Sequence, residues 1–199
     1  MNPLTTKFTT KHDTAPFSQI KTEDFLPAFT EGISLAKAEI NTIVKNPEVA
    51  TFENTIEALS FAGDTLDRVS NIFFNLHSAE TNDDIQKIAQ EVSPLLSEFS
   101  NDITLNPELF ARVKAVYEQK STLDLTAEQI TLLDKKYKGF SRNGANLPDD
   151  KKNELRDIDK ELSKLSLEFG ENVLNETHAF QLHITDEKDL SGLPEGTIE

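Results

Sequence analysis

Residues 51–103, TFENTIEALSFAGDTLDRVSNIFFNLHSAETNDDIQKIAQEVSPLLSEFSNDI, contain the pattern that decides the fold. Apolar residues recur there at steps of three or four, and residues with that spacing share one face of an α-helix. One run is Phe52, Ile56, Leu59, Ala62, Leu66, Val69, Phe73 and Leu76, and the other is Ile85, Ile88, Val92, Leu95, Phe99 and Ile103. The pattern predicts two long helices joined by a short turn. We expect them to carry most of the buried phenylalanine, including Phe73.

Similar stripes on either side predict four more helices, which begin near Thr22, Pro107, Thr126 and Pro148. The last of these four stripes is Leu155, Ile158, Leu162, Leu165, Phe169 and Val173. The helix starts are predicted from capping residues, whose side-chain oxygens accept hydrogen bonds from the first free N–H groups. The predicted caps are Thr22, Thr51, Thr81 with Asp84, Asn106 and Thr126 with Gln129. Pro94, inside the second central helix, is expected to kink it.

The two ends of the chain have different patterns. Residues 1–21 are expected to form an extended arm, because Pro3 and Pro16 oppose a helix. Its apolar residues could anchor it in grooves of something larger, and they are Leu4, Phe8, Phe17 and Ile20. Near the other end, Phe180, Leu182 and Ile184 alternate with polar residues, which is typical of a half-buried strand. The sequence thus predicts an all-α, antiparallel bundle of about six helices in residues 22–177. Residues 178–199 would hold a short strand and the start of a further region that the chain lacks.

Composition narrows the range of functions. The formal net charge is −15, which argues against a DNA or RNA partner because phosphate binding depends on lysine and arginine. It also argues against an anionic membrane surface. The 199 residues include no cysteine, which excludes disulfides and thiolate chemistry. We find no signal-peptide pattern and no run of 18 uncharged apolar residues, so a cytoplasmic location is predicted.

Few residues in the chain suggest reaction chemistry. The four histidines, His12, His77, His178 and His183, lack the i,i+4 spacing of a helical zinc site. His77 falls on the apolar side of the first central helix and is predicted to be a hydrogen-bonded core residue. The carboxylate pairs Asp83-Asp84 and Asp149-Asp150 lie in predicted first turns, where the helix dipole explains them.

One loop, Arg142-Asn143-Gly144-Ala145, has residues that could touch a peptide carboxylate, although an ordinary turn explains them better. Phosphate-binding glycine motifs and a Gly-x-Ser-x-Gly elbow are absent from the sequence. No catalytic or metal-binding residue is therefore predicted in this chain, and its substrate-binding residues stay unknown.

Several segments, in this order, resemble the N-terminal region of the thimet-oligopeptidase-like zinc metallopeptidases, most closely the bacterial peptidyl-dipeptidases. They are Asn2-Pro3-Leu4, Ala15-Pro16-Phe17, Thr51-Phe52-Glu53-Asn54-Thr55-Ile56, Leu109-Phe110-Ala111-Arg112-Val113, Phe140-Ser141-Arg142-Asn143-Gly144-Ala145-Asn146-Leu147 and Gly192-Leu193-Pro194-Glu195. The family's zinc site, an H-E-x-x-H helix with a further glutamate, lies later in a much longer chain. The resemblance therefore places no catalytic residue here.

The resemblance implies a helical domain that forms one wall of a deep channel, which admits short unfolded peptides and excludes folded proteins. Zinc would be the cofactor of the full-length enzyme, and the remaining catalytic domain of the same chain would be the partner of this region. The alternative is a self-sufficient helical scaffold or peptide-binding module without enzymatic activity, whose grooves accept an amphipathic helix.

Overall fold

The computed structural model describes residues 1–198, and within them all regular secondary structure is helical. The helices are α1 (Phe25–Val44), α2 (Ala58–Phe61), α3 (Asp64–Ala79), α4 (Asp83–Thr104), α5 (Pro107–Glu118), α6 (Ala127–Arg142), α7 (Asp149–Ala179) and α8 (Glu195–Ile198). A π-helical segment, Phe52–Glu57, leads directly into α2. The predicted all-α bundle is confirmed. Among the described helices none is long and apolar enough to cross a membrane.

The described chain divides into two compact units, residues 1–164 and a second unit that begins at Leu165. The boundary falls inside α7, so this helix contributes residues to both. Every buried apolar side chain of the described residues belongs to the first unit. The hydrophobic core that holds the fold together is therefore a property of residues 1–164.

One part of this core lies where α1 packs against α3. Phe25 and Phe29 of α1 meet the ring of Phe73 edge to face, with centroid distances of 5.0 and 5.3 Å. Edge-to-face contact brings the positive rim of one ring to the negative face of another, which stabilises the pair beyond simple burial. Phe29 and Phe73 are both fully buried. The stripe predicted for α3 therefore faces inward, as expected.

The other part of the core joins five segments of the chain: α1, the π-helical segment with α2, α5, α6 and the turn after α6. Its buried members are Ile40, Ile43, Phe52, Ile56, Leu59, Leu109, Phe110, Val113, Val116, Leu133, Phe140 and Ala145. Stacked aromatic rings close its edge, where Tyr117 and Tyr137 lie 3.8 Å apart between centroids. This cluster is where segments far apart in the sequence meet.

The expectation that residues 51–103 carry most of the buried phenylalanine is wrong. Of the buried phenylalanines, Phe52 and Phe73 belong to that stretch, while the others are Phe25, Phe29, Phe110 and Phe140. The reason is geometric, since an apolar stripe is covered by side chains from the helices packed against it. Here α1, α5 and α6 supply the large rings that cover the central segment.

The first central helix is not continuous, contrary to prediction. Ala62 is extended (φ −69°, ψ 131°) and Gly63 adopts φ 93°, so α2 ends there and α3 begins at Asp64. Glycine has no Cβ and reaches this left-handed conformation without strain. The Gly63 N–H donates to a carboxylate oxygen of Glu39 on α1 at 2.7 Å, which fixes the break against its neighbour. The apolar spacing continues across the break, so periodicity alone did not reveal it.

Three predicted helix caps are confirmed. The side chains of Thr51, Asn106 and Thr126 each accept hydrogen bonds from backbone N–H groups of the first turn. The cap of α4 is Asn82 instead of Thr81, because the Asn82 Oδ1 accepts from the Ile85 N–H at 3.0 Å. A 3-10 turn over Thr22–Asp24 precedes α1, which begins three residues later than the predicted Thr22 start. Pro94 lies within α4, which continues through it.

The N-terminal arm is anchored on the first unit itself. Leu4 is fully buried, and its carbonyl oxygen accepts a hydrogen bond from Arg68 of α3 at 3.2 Å. The same guanidinium lies 4.9 Å from the centre of the Phe8 ring, a favourable cation–π arrangement. Phe17 stays exposed. Two of the predicted anchors, Leu4 and Phe8, thus find their partners within this chain.

The strand predicted near the C-terminus is wrong. His178 and Ala179 complete α7, and residues 180–186 have no regular secondary structure. A strand needs a neighbour for its backbone groups, and the described residues offer none. The side chains of Phe180 and Leu182 are each 74% exposed, so the apolar face of the predicted strand is uncovered. The alternating apolar residues therefore belong to a surface that nothing in residues 1–198 buries.

A charged cluster ties three helices of the first unit together. The carboxylate of Asp102 on α4 pairs with Lys37 of α1 and with Arg156 of α7, each at 2.8 Å. Burial alone would raise the pKa of Asp102, but the hydrogen bonds from Lys37 and Arg156 outweigh it and hold that pKa below its usual range. The first turns of α7 are fixed to α4 in this way.

Candidate functional surface

The histidines do not come together as a metal site. His12 lies in a 3-10 turn with φ 63°, His178 lies in the last turn of α7, and His183 lies in the irregular segment that follows. Within residues 1–198, no three histidine, aspartate or glutamate side chains are grouped as a metal ion requires. The described residues therefore do not fit a zinc site, and we derive no catalytic step from them.

His77 is the histidine closest to the core, and its surroundings differ from the prediction. Its ring lies 6.4 Å from Phe73 and 6.3 Å from Phe74, between centroids. The ring is half-buried, and its Nε2 is buried without a hydrogen-bond partner in the described chain. The aromatic contacts are as expected, but the expected hydrogen bond is missing at Nε2. His77 packs as an aromatic residue beside the phenylalanine cluster.

The acidic pairs lie where helix-dipole effects explain them. Asp83 and Asp84 are in the first turn of α4, and Asp149 and Asp150 are in the first turn of α7. Free N–H groups at a helix start favour negative charge. All four side chains are exposed, so none is in the apolar setting that would make a carboxylic acid a proton donor at neutral pH.

The loop Arg142-Asn143-Gly144-Ala145 is a packing corner. Asn143 donates from its side-chain amide to the Gly139 carbonyl at 2.8 Å, and Ala145 is buried in the core. Gly144 adopts φ 97°, and a Cβ placed there would come within 2.7 Å of Leu155 and 3.1 Å of Leu105. Arg142 is exposed. The loop therefore serves to close the core between α6 and α7.

Gly144→Ala is expected to lower the free energy of unfolding by about 2 kcal/mol or more, because the methyl group meets both a left-handed backbone and close neighbours. Urea unfolding followed by far-UV circular dichroism measures this loss. Gly170→Ala is the matched control, since a Cβ at that helical glycine meets nothing within 4 Å and should stabilise slightly. Equal midpoints for the two variants would contradict the packing role of Gly144.

Three segments that carry the family resemblance meet in the first unit. Arg112 of α5 donates to the backbone carbonyls of Asn46 and Glu48 at 2.9 and 3.2 Å, and to the Asn54 side chain at 3.0 Å. Asn54 belongs to the segment that begins at Thr51, and its side chain also binds the Thr51 N–H at 2.9 Å. Phe110 stacks on Phe140, the first residue of the third segment, at 6.0 Å. These segments therefore form one structural junction.

The second unit exposes an apolar helix face. Leu165, Phe169 and Val173 follow one another at steps of four on α7, so they share one side of the helix. Their side chains are 50%, 71% and 49% exposed. Exposed apolar residues are ordinary one by one, but a row of them on one helix face marks a contact surface. We name Leu165, Phe169 and Val173 the α7 apolar face.

The sequence predicted this stripe but not its exposure. Periodicity reports which residues share a face and says nothing about whether another segment covers that face. Ile158 and Leu162, on the α7 turns that belong to the first unit, are also more than half exposed. The start of the helix is held, since Lys152 is buried and donates to the Leu105 carbonyl at 3.1 Å.

The chain is similar to bacterial peptidases along its whole length. It is 36% identical over 198 residues to the dipeptidyl carboxypeptidase of Escherichia coli, a match that takes in 100% of this chain and 29% of that protein. It is 28% identical over 197 residues to oligopeptidase A of Salmonella typhimurium, covering 99% of this chain and 28% of the relative. No protein-family model matches the chain.

A more distant relative has the same pattern of coverage. The thimet-like oligopeptidase of Dictyostelium discoideum is 26% identical over 182 residues, which are 90% of this chain and 26% of that protein. The chain thus spans less than a third of the length of each of these relatives.

Proposed function

Because this chain is homologous to the N-terminal part of the thimet-like oligopeptidases, we propose that it forms the non-catalytic wall of the substrate channel in a zinc metallopeptidase. The parent enzyme would hydrolyse short, unfolded peptides as a peptidyl-dipeptidase or oligopeptidase. The observation that carries this proposal is the match of the whole chain, at 36% identity, to 29% of a dipeptidyl carboxypeptidase.

The residues of this region favour a structural role over a catalytic one. The segments that resemble the family meet in a core junction around Arg112, not in a group of proton donors or metal ligands. Zinc, when bound elsewhere in the parent enzyme, would supply the activation of water for peptide hydrolysis. The side chains described here would fix the shape of the wall, and that shape would decide which peptides enter.

The α7 apolar face favours a longer parent protein, in which a further domain packs on the second unit. Leu165, Phe169 and Val173 would be buried by the catalytic domain of the same chain. The proposed organisation is an arm at residues 1–21, a helical domain at 22–177 and the start of the catalytic region at 178–199. A cytoplasmic location belongs to the same proposal.

A hydrolysis assay tests the proposal. The purified chain, supplied with zinc, is expected to leave a short quenched fluorescent peptide uncut, whereas the dipeptidyl carboxypeptidase of Escherichia coli serves as the active control. Robust cleavage by the chain that a chelator abolishes would show that it carries its own catalytic site, and the wall assignment would then be wrong.

A second candidate is a self-sufficient peptide-binding module. The α7 apolar face favours it to the extent that an amphipathic helix from another protein could cover the same residues. The two candidates differ in the length of the natural protein, because only the peptidase requires a downstream catalytic region.

A further inference from the structure

We propose that a cavity in the first unit, between α1, α3, α4 and α6, is a binding site for a small molecule that joins one carboxylate to an aliphatic or aromatic body. The cavity has a volume of about 350 Å³, within the range of roughly 300–1,000 Å³ that is usual for small-molecule sites. The site is independent of the proposed peptidase chemistry, because the residues that form it are all in the described chain.

The break between α2 and α3 borders this space. Ala62 and Gly63, where the helix is interrupted, both line the cavity. The carboxylate of Glu39 on α1 accepts a hydrogen bond from the Gly63 N–H, which keeps the break in place. The interruption therefore forms part of the cavity wall.

Both apolar and charged residues line the cavity. The apolar part of the lining includes Leu66, Phe99, Ile103 and Phe140. Lys135 and Lys136 of α6 and Asp67 of α3 bring charge to the same cavity. An apolar wall with a few charged groups is the usual composition of a site that orients a small ligand.

The carboxylate next to Lys135 and Lys136 in the sequence is already paired with other lysines. Asp134, the neighbouring carboxylate, pairs with Lys120 at 2.8 Å and with Lys138 at 3.6 Å. Among residues 1–198, no carboxylate lies within ion-pair distance of Lys135 or Lys136. An ammonium that lines a cavity without such a partner gains most from an incoming anion.

The environment of Lys136 points in the same direction. Burial lowers the pKa of its ammonium group, and the charge of Asp67 offsets this only in part. A ligand carboxylate would add the negative charge that Asp67 supplies only in part. The negative charge of Asp67 in the same cavity disfavours a second carboxylate on the ligand, so the site should prefer monocarboxylates.

Calorimetric titration of the chain with phenylbutyrate tests the site, with neutral phenylbutanol as the comparison. We expect saturable binding of phenylbutyrate and binding of phenylbutanol that is weaker by about tenfold or more, which is the size of one charge-assisted contact. Acetyl-alanyl-phenylalanine carries the same carboxylate on a peptide, so its affinity relative to phenylbutyrate distinguishes a peptide C-terminus from a simple acid as the natural source.

Two variants locate the binding. Lys136→Met keeps the apolar stem but removes the charge, and should weaken phenylbutyrate binding about tenfold. Gly139→Leu should abolish it, because Gly139 lines the cavity and a Cβ there meets nothing within 4 Å, so the side chain can fill the space without a clash. Lys138→Met is the matched control on the same helix, with an exposed side chain outside the cavity lining, and should bind as the unaltered chain does.

Thermal unfolding of each variant shows that it remains folded, and Gly139→Leu should be at least as stable as the unaltered chain because leucine favours a helix more than glycine does. The proposal is overturned if phenylbutyrate does not bind, if phenylbutanol binds equally well, or if a folded Lys136→Met variant binds phenylbutyrate unchanged.

Discussion

Replacing Phe73 with alanine is expected to lower the free energy of unfolding by about 3–5 kcal/mol, the range measured for buried phenylalanines. Phe73 is fully buried, and its ring meets Phe25, Phe29 and Phe74 edge to face at 5.0 to 5.3 Å. The substitution removes these contacts and leaves a cavity between α1 and α3. Urea unfolding followed by far-UV circular dichroism provides the measurement, because the chain is largely helical.

Phe61→Ala is the matched control for this experiment. Phe61 is the last residue of α2, and its side chain is 74% exposed, so its loss should cost well under 1 kcal/mol. A cost below about 1 kcal/mol for Phe73→Ala as well would place the α3 stripe on the wrong face and contradict the core described above.

The second large effect is expected at Arg112. Its guanidinium joins α5 to the loop after α1 through the carbonyls of Asn46 and Glu48, and to the π-helical segment through Asn54. Arg112→Met keeps much of the side-chain volume but removes every donor, so these acceptors lose their hydrogen bonds to the guanidinium. We expect a loss of about 2–3 kcal/mol, the scale of charge-assisted hydrogen bonds to partly buried groups.

Arg142→Met is the comparison variant, since Arg142 is exposed in the last turn of α6. Its unfolding midpoint should stay close to that of the unaltered chain. Arg112→Lys adds a sharper test, because a lysine ammonium cannot reproduce the planar fork that reaches several acceptors at once. Full stability of Arg112→Lys would show that a positive charge alone is enough and that the planar fork of the guanidinium is not needed.

The sequence was a good guide to helices and a poor one to their interruptions. The stripes of α1, α3 and α5 are largely buried as predicted, and Asn106 and Thr126 cap the helices they were expected to cap. In the stripe predicted for α4, Ile85 and Val92 are buried but Leu95 is exposed. The break at Gly63 was missed because Leu59, Ala62 and Leu66 keep the helical spacing across it. The one available signal was the glycine itself, inside an otherwise helical pattern.

Exposure was the other property that periodicity could not supply. Leu165, Phe169 and Val173 have the spacing of a buried stripe and yet remain exposed. Phe180 and Leu182 have the alternation of a strand and form none. In both places the local pattern is apolar while the covering surface is missing from the described residues. The pattern of one segment does not reveal whether a second segment covers it.

The candidate sites were predictable only in part. The resemblance correctly identified relatives among the peptidases, and the same segments turn out to form the junction around Arg112 and Phe140. The cavity beside Lys136 was not predicted, because it is lined by the break at Gly63 and by four helices that are separate in the sequence. Adjacent lysines on a helix otherwise look like an ordinary solvated face.

The central claim is that this chain is the N-terminal wall of a longer peptidase, and the size of the natural protein tests it most directly. An antibody raised against the chain, used on cells of the organism that encodes it, would isolate that protein for intact-mass measurement and peptide sequencing. The account predicts a mass roughly three times or more the 22.3 kDa of this chain, since the matched relative is longer by that factor, and peptides that include an H-E-x-x-H sequence. A natural protein of 22.3 kDa, with no such sequence, would contradict it.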